Sequence, residues 1–194
     1  MRKIIVSEFM TLDGVIEDPG GSEHLPHGGW AFQFQRGPEG DKFKLDEVLS
    51  AGALLLGRVT YEGFAEAWVS RTGEFADKMN NMPKFVVSTT LKKTEWNNST
   101  IIKDNVAAQI KMIKEQPGQD ILVAGSSELV HTLMQLDLVD ELRLMIYPVI
   151  LGSGKRFFKD SSHRKILKLV ENKPLDSGIF ILTYQPDADR KEIS

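Results

Sequence analysis

Two short stretches of the sequence carry groups suited to holding an anion: Gly57-Arg58-Val59-Thr60 and Gly125-Ser126-Ser127-Glu128. Each follows an apolar run, "ALLLG" in one case and "DILVAG" in the other, and each leads into helical spacing. A glycine at the end of a strand lets a ligand approach the backbone. The free N–H groups of the helix that follows carry the positive end of its dipole. Phosphates bind at such starts, and the hydroxyls of Thr60, Ser126 and Ser127 add donors. Arg58 adds a guanidinium able to make a bidentate, charge-assisted pair. A third stretch, Ser88-Thr89-Thr90 with Lys92 and Lys93 just beyond, also ends an apolar run. It offers hydroxyls and cations to the far end of a phosphorylated nucleotide. Each stretch has a structural reading as well, with Ser126 or Ser127 as a helix N-cap and Arg58 covering a helix face with its stem.

The elements that must position these groups follow from hydrophobic spacing. "KIIVSEFMT" alternates as a strand and ends in a turn at Asp13-Gly14. Residues 17–40, rich in glycine and proline, read as a long loop, either a functional lid or a surface excursion. "DKFKLDEVLSAG" reads as a helix whose inward stripe is Leu45, Val48, Leu49 and Gly52. Strand "ALLLG", helix "VTYEGFAEAW", short helix "FADKMNNM" and strand "KFVVSTT" come next, then strand "TIIK" and helix "NVAAQIKMIKEQ". After the strand–turn–helix at residues 120–135, "ELRLMIYPVILG" reads as a long apolar strand interrupted at Pro148, and "KILKLVEN" and "GIFILTY" as a closing pair. This order predicts one α/β domain over residues 1–186, with a mostly parallel sheet, a C-terminal hairpin and a polar tail at 187–194. Both glycine junctions then lie on the edge formed by the carboxyl ends of the strands, where open α/β sheets bind ligands.

Composition narrows the chemistry. A formal net charge of −3 argues against a nucleic-acid binder. The absence of cysteine removes disulfides, thiolate metal sites and cysteine nucleophiles, and is compatible with a cytoplasmic location. The N-terminal apolar run is too short for a signal peptide, and no stretch reaches the length of a membrane span. The dinucleotide fingerprint G-x-G-x-x-G is absent. "GSGK" at 152–155 is no phosphate-binding P-loop, because Val149 stands where its first glycine belongs and Arg156 replaces the magnesium-binding hydroxyl.

The ordered set "VSEFMTLDGVI", "LLLGRVTYEGF", "KFVVSTT" and "ILVAGSSELVHTLMQLDLVDELRLMIYPVILGSGKRFF" resembles the dihydrofolate reductase-like superfamily. It is most similar to the bacterial branch related to the C-terminal reductase domain of riboflavin biosynthesis, the reductase half of a bifunctional deaminase-reductase. The resemblance covers nearly the whole chain. It implies a three-layer fold, with a mixed, mostly parallel central sheet, helices on both faces and an antiparallel C-terminal hairpin. It further implies NADPH as cofactor, a homodimer, and hydride transfer to a small flat heterocycle or carbonyl. That substrate would be of the pterin type or the riboflavin-precursor pyrimidine type. By the same match, Gly57, Arg58 and Thr60 would meet cofactor phosphates and Ser88 and Thr89 would lie near the adenosine end. Gly125, Ser126, Ser127 and Glu128 would cradle the pyrophosphate, and Asp13 and Gly14 would belong to the loop beside the nicotinamide. Ala124-Gly125-Ser126 departs from the Glu-Gly-Gly usual in the riboflavin reductases, which weakens the ribityl-pyrimidine expectation. A zinc deaminase partner is not expected within this sequence, because its motif needs cysteines. A non-catalytic nucleotide-binding module that keeps the pocket is the alternative outcome.

Folate reductases place an acid on the helix before the Gly-Arg junction, and an ungapped count from Gly57 reaches Asp41. Two readings fit Asp41: an inward carboxyl with a raised pKa acting as general acid, or a helix-start aspartate complementing the dipole. Trp30, Phe32 and Phe34 alternate beside the long loop, and either wall a flat substrate or pack the loop down. Tyr61 and Trp68 read as core, His131 as surface or satisfied core, and Tyr147 as a candidate proton donor. His24 and His27 lack a clear third partner for a metal, and His163 falls in a polar turn.

Overall fold

Each apolar run forms a strand of one sheet in the computed structural model, which describes residues 1–159 and 164–187. His163 and residues 188–194 of the expected tail lie outside the described residues. The strands are β1 (Ile4–Thr11), β2 (Ala53–Gly57), β3 (Lys84–Val87), β4 (Ser99–Ile102), β5 (Ile121–Ala124), β6 (Glu141–Tyr147), β7 (Leu167–Pro174) and β8 (Phe180–Pro186). The helices are α1 (Gly37–Ser50), α2 (Arg58–Trp68), α3 (Glu74–Asn81), α4 (Val106–Glu115) and α5 (Ser127–Gln135). The spatial order of strands is β4-β3-β2-β5-β1-β6-β8-β7. From β4 to β6 all neighbours are parallel, whereas β8 runs antiparallel to both β6 and β7. The mostly parallel sheet with an antiparallel C-terminal hairpin is therefore as expected.

Both faces of the sheet are covered, which is why the strands read as continuous apolar runs. On one face Val6, Leu55, Ile121 and Val123 pack against Ile110 of α4 and Leu129, Val130 and Leu133 of α5. On the other, Ile5, Leu54, Leu56 and Leu122 meet Val48 of α1, Tyr61 of α2 and Met79 of α3. Nearer the hairpin, Trp30, Met145, Tyr147, Ile179 and Ile181 form a further cluster. Tyr61 serves this core as expected, and its hydroxyl accepts the backbone N–H groups of Glu95 and Trp96 at 3.1 and 2.9 Å. Among the described residues, no helix is long and apolar enough to cross a membrane.

Helix α1 differs from its expected bounds. It begins at Gly37, because Pro38 occupies the first turn, where the missing N–H costs nothing. It ends at Ser50, and Ala51 is already extended, so Gly52 is not part of a helical stripe. The buried positions of α1 are Gly40, Glu47 and Val48. β6 stops at Tyr147, just before Pro148. The long loop contains one 3-10 turn, Trp30–Gln33, and is organised by buried Asp18. The Asp18 carboxylate accepts the backbone N–H groups of Glu23 and Leu25 at 3.0 and 3.1 Å.

Candidate active site

The two glycine junctions fall on neighbouring strands, at the carboxyl ends of β2 and β5, and they interlock. A Cβ on Gly57 would come within 2.8 Å of Ser126 Cβ and closer still to its hydroxyl. A Cβ on Gly125 would lie 3.1 Å from Thr60 Cγ2, and Gly125 has φ +83°, open to glycine at no steric cost. Gly57 itself is extended, with φ −80° and ψ 163°. Its lack of a side chain is needed to admit Ser126. The expectation that Gly57 clears space for a phosphate is thus revised: the space it clears is taken by the neighbouring turn. Ser126 has φ 76° and ψ 85°, an uncommon conformation for a residue with a side chain, held by this packing.

What the interlock leaves available is backbone. Neither Gly57 at the start of α2 nor Ser126 at the start of α5 makes a side-chain capping hydrogen bond. The first-turn N–H groups of two adjoining helices therefore have no side-chain cap, and both positive dipole ends lie at one sheet edge. Ser127 is buried as the first residue of α5. Exposed Glu128 pairs with Lys159, which holds its carboxyl below the usual range. Arg58 is exposed at the first position of α2, with Nη1 2.6 Å from Glu62 Oε2 one turn on. The residues present fit a dinucleotide's phosphates: two uncapped helix starts, a neighbouring hydroxyl pair and one guanidinium that Glu62 orients.

Other expected site residues have different duties. Ser88 is buried, and its Oγ accepts the N–H groups of Thr90 and Leu91 at 3.2 and 2.9 Å. Its hydroxyl thus closes a local turn, and exposed Thr89 remains as the free hydroxyl of that pair. Asp13 latches two loops together. Its carboxylate accepts the Thr11 hydroxyl at 2.6 Å and the N–H groups of Leu151 and Gly152 at 3.3 and 2.9 Å. The Thr11 hydrogen bond is the main reason its carboxyl titrates below the usual range. Gly14, with φ +85°, turns the chain at this latch, and its carbonyl accepts the Phe157 N–H.

An open cavity of about 360 Å³ lies against Phe9 of β1 and Tyr147 of β6, and is walled by Phe32, Phe34, Arg36 and Asp41 among others. Trp30 is not part of that wall, because it is 0% exposed. It donates its indole N–H to the Glu17 carbonyl at 2.9 Å and stacks edge-on against Tyr147 at 5.2 Å. Of the two readings of Trp30, packing the loop down is the one that holds here. Phe32, 76% exposed, and Phe34 are the aromatic faces at the opening. Asp41 does reach the cavity, yet its side chain is 64% exposed and lies 3.0 Å from the Arg36 guanidinium. Of the two readings of Asp41, the inward, buried acid does not hold, because α1 turns Glu47 and Val48 inward instead. Tyr147 is fully buried, its hydroxyl contacts Met145 Sδ at 3.3 Å, and burial pushes it up to about 12.

A polar network under α1 is absent from the sequence reading. Ser7 of β1 sits beside Arg143 of β6 in the parallel register. Buried Glu47 accepts the Ser7 hydroxyl at 2.9 Å, and Lys44 Nζ bonds both Glu47 and, at 2.9 Å, Ser7 Oγ. Arg143 Nη1 lies 3.5 Å from the other Glu47 oxygen, and its Nε donates to Glu141 at 2.7 Å. The Lys44 ammonium lies 5.3 Å and the Arg36 guanidinium 5.5 Å from the centre of the Phe9 ring, the floor of the cavity. The only sequence signal for this network is the i,i+3 spacing of Lys44 and Glu47 next to an apolar stripe. Among the described residues, no group of three or more His, Asp or Glu side chains is placed to hold a metal ion.

This sheet, with its hairpin edge and paired junctions, defines a dihydrofolate reductase-like α/β protein. It superimposes on dihydrofolate reductase from Enterococcus faecalis, solved with NADP(H) and RAB-propyl, at TM-score 0.64 and 17% identity, over 95% of this chain and 96% of that one. A putative riboflavin biosynthesis protein from Shewanella sp. PV-4 aligns at TM-score 0.77 and 19% identity, over 95% of this chain and 99% of that one. A pyrimidine reductase-like protein from Corynebacterium diphtheriae aligns at TM-score 0.67 and 12% identity, over 97% and 93%. The chain belongs to the RibD C-terminal domain family, which matches residues 2–181. It is 30% identical over 188 residues, 94% of each chain, to the uncharacterised protein YyaP of Bacillus subtilis (strain 168). It is 27% identical over 178 residues to YwjB of the same organism, covering 92% of this chain and 95% of that one.

Proposed function

We propose that this protein is an NADPH-dependent reductase acting on a small, flat, polar substrate with a reducible C=N or C=O bond. The observation that carries this reading is the pair of interlocked, uncapped helix starts on β2 and β5, on the same sheet as an aromatic cavity lined by Phe9 of β1 and Tyr147 of β6. NADPH, when bound, supplies the hydride; the protein supplies binding, orientation and water exclusion. The N–H groups at the starts of α2 and α5 bind phosphate, and Arg58 discriminates the extra phosphate of NADPH from NADH. Phe9, Phe32 and Phe34 stack a planar substrate and keep water from it. Asp41 holds Arg36 at the cavity wall, where the guanidinium meets an acceptor edge of the substrate. A homodimer in the cytoplasm belongs to the same reading, and the exposed apolar residues Leu169 and Val170 on outer strand β7 support the dimer.

The direct test is a titration with NADPH and NADH, followed by nicotinamide fluorescence and melting temperature. NADPH at a hundred times its dissociation constant should stabilise the fold by about 2.7 kcal/mol. Binding of neither dinucleotide removes the reading. Tight NADPH binding justifies a turnover screen of pterins, pyrimidines and aldehydes.

A further inference from the structure

Glu8 is the one charged side chain in the middle of β1, and the proposed reaction gives it no role. Alternation along the strand puts Glu8 on the face of Val6 and Met10, the face packed by α4 and α5. It is 7% exposed, and its Oε1 has no hydrogen-bond partner. Ser7 pairs in register with Ala124, so Glu8 lies level with Gly125, the turn that opens α5. A buried carboxyl with one oxygen unpartnered thus sits at the uncapped helix start already assigned to the cofactor's anion.

The charges around it do not neutralise it. Burial is the main influence and pushes Glu8 up to about 8; Lys44 and the Gly125 N–H oppose this, and Glu47 reinforces it. Lys44 is itself committed to Glu47 and Ser7. On α5, exposed Glu128 is paired with Lys159, and His131 Nε2 is 2.5 Å from the Phe157 carbonyl oxygen. Two negative charges sharing a dry turn would repel strongly, whereas a carboxylic acid can donate a hydrogen bond to an anion.

We propose that Glu8 is a proton-linked positioning residue of the dinucleotide site: an anion occupies the Gly125 junction only when the Glu8 carboxyl carries its proton. The inference rests on the NADPH reading above and adds to it a specific coupling. Binding at alkaline pH then takes a proton from solvent onto Glu8, and affinity weakens as pH rises through the range where Glu8 ionises.

The test is the dissociation constant of NADPH against pH, by fluorescence, for the wild-type protein and Glu8→Gln. One required proton on a group titrating near 8 makes wild-type binding about tenfold weaker at about pH 9 than at about pH 7. Glu8→Gln, isosteric with the neutral acid, should bind near wild-type strength at neutral pH and show a flat profile. Calorimetry of the wild type in two buffers of different ionisation enthalpy tests the same coupling without a variant. Net proton uptake on binding above about pH 8 supports the linkage. A flat wild-type profile, absence of proton uptake, or an unchanged slope in Glu8→Gln overturns the role of Glu8 and leaves the NADPH reading standing. Absence of NADPH binding at every pH sinks both.

Discussion

Ser126 occupies the space that a side chain on Gly57 would need, with its Cβ 2.8 Å from where a Gly57 Cβ would stand. Two turns that are far apart in sequence are thereby welded at the carboxyl edge of the sheet, and each depends on the other's smallness. Gly57→Ala should be destabilising by roughly 1–3 kcal/mol through overpacking. Removing the opposing atoms with Ser126→Gly in the same chain should recover most of that loss. Urea denaturation of the wild type, both single variants and the double variant gives the coupling energy. A strictly additive cycle would show that the contact is not energetically shared.

Arg58 separates the two dinucleotides if it meets the extra phosphate. Losing a charge-assisted hydrogen bond costs roughly 1.5–3 kcal/mol, so Arg58→Ala should weaken NADPH by about 10- to 100-fold and NADH little. Equal losses for both, measured by the same fluorescence titration, would confine Arg58 to its ion pair with Glu62.

Lys84 is a fully buried cation whose Nζ donates to the carbonyls of Asn80, Met82 and Asn97 at 2.9, 2.9 and 3.0 Å. Lys84→Met would strand those acceptors and should lower stability by roughly 1–3 kcal/mol or more. Burial brings Lys84 down from 10.5 to about 8. Between those values the unfolded chain holds the proton that the native state has released, so native stability gains with rising pH. The wild type should therefore gain on Lys84→Met from about pH 8 to about pH 10.5, in paired chemical denaturations. A constant difference across that window would contradict the shift.

Asp13 makes a linkage of the same sign in the acid range. Its carboxyl is held below the usual range by Thr11 first and by the Gly152 and Leu151 N–H groups after it. The stabilisation is present above the unfolded pKa, near 3.9, and is lost as pH falls through the lower native value. Asp13→Asn should melt earlier than the wild type at neutral pH, and the gap should close in acid. A gap that stays open at acid pH would show that the latch does not depend on the charge.

The sequence by itself determined the strands, the helices that follow the two glycine turns, and the parallel order closed by a hairpin. These depend on local spacing, and sheet burial on both faces makes apolar runs unambiguous. It also picked out the two helix starts at Gly57 and Ser126, because helix starts are local features. Only the tertiary structure decided where individual side chains finish. Asp41 is exposed and Glu47 buried because α1 packs with Gly40, Glu47 and Val48 inward. Trp30 is buried because Glu17 and Tyr147, far from each other in the chain, receive it from two sides. Glu8 and Ser7 read alike as polar breaks in an apolar strand. Helices on both faces of the sheet bury both, and strand alternation with register sends one to Glu47 and the other to Gly125. A side chain's partners are set by the registry of distant segments, and periodicity within one segment carries no record of that registry.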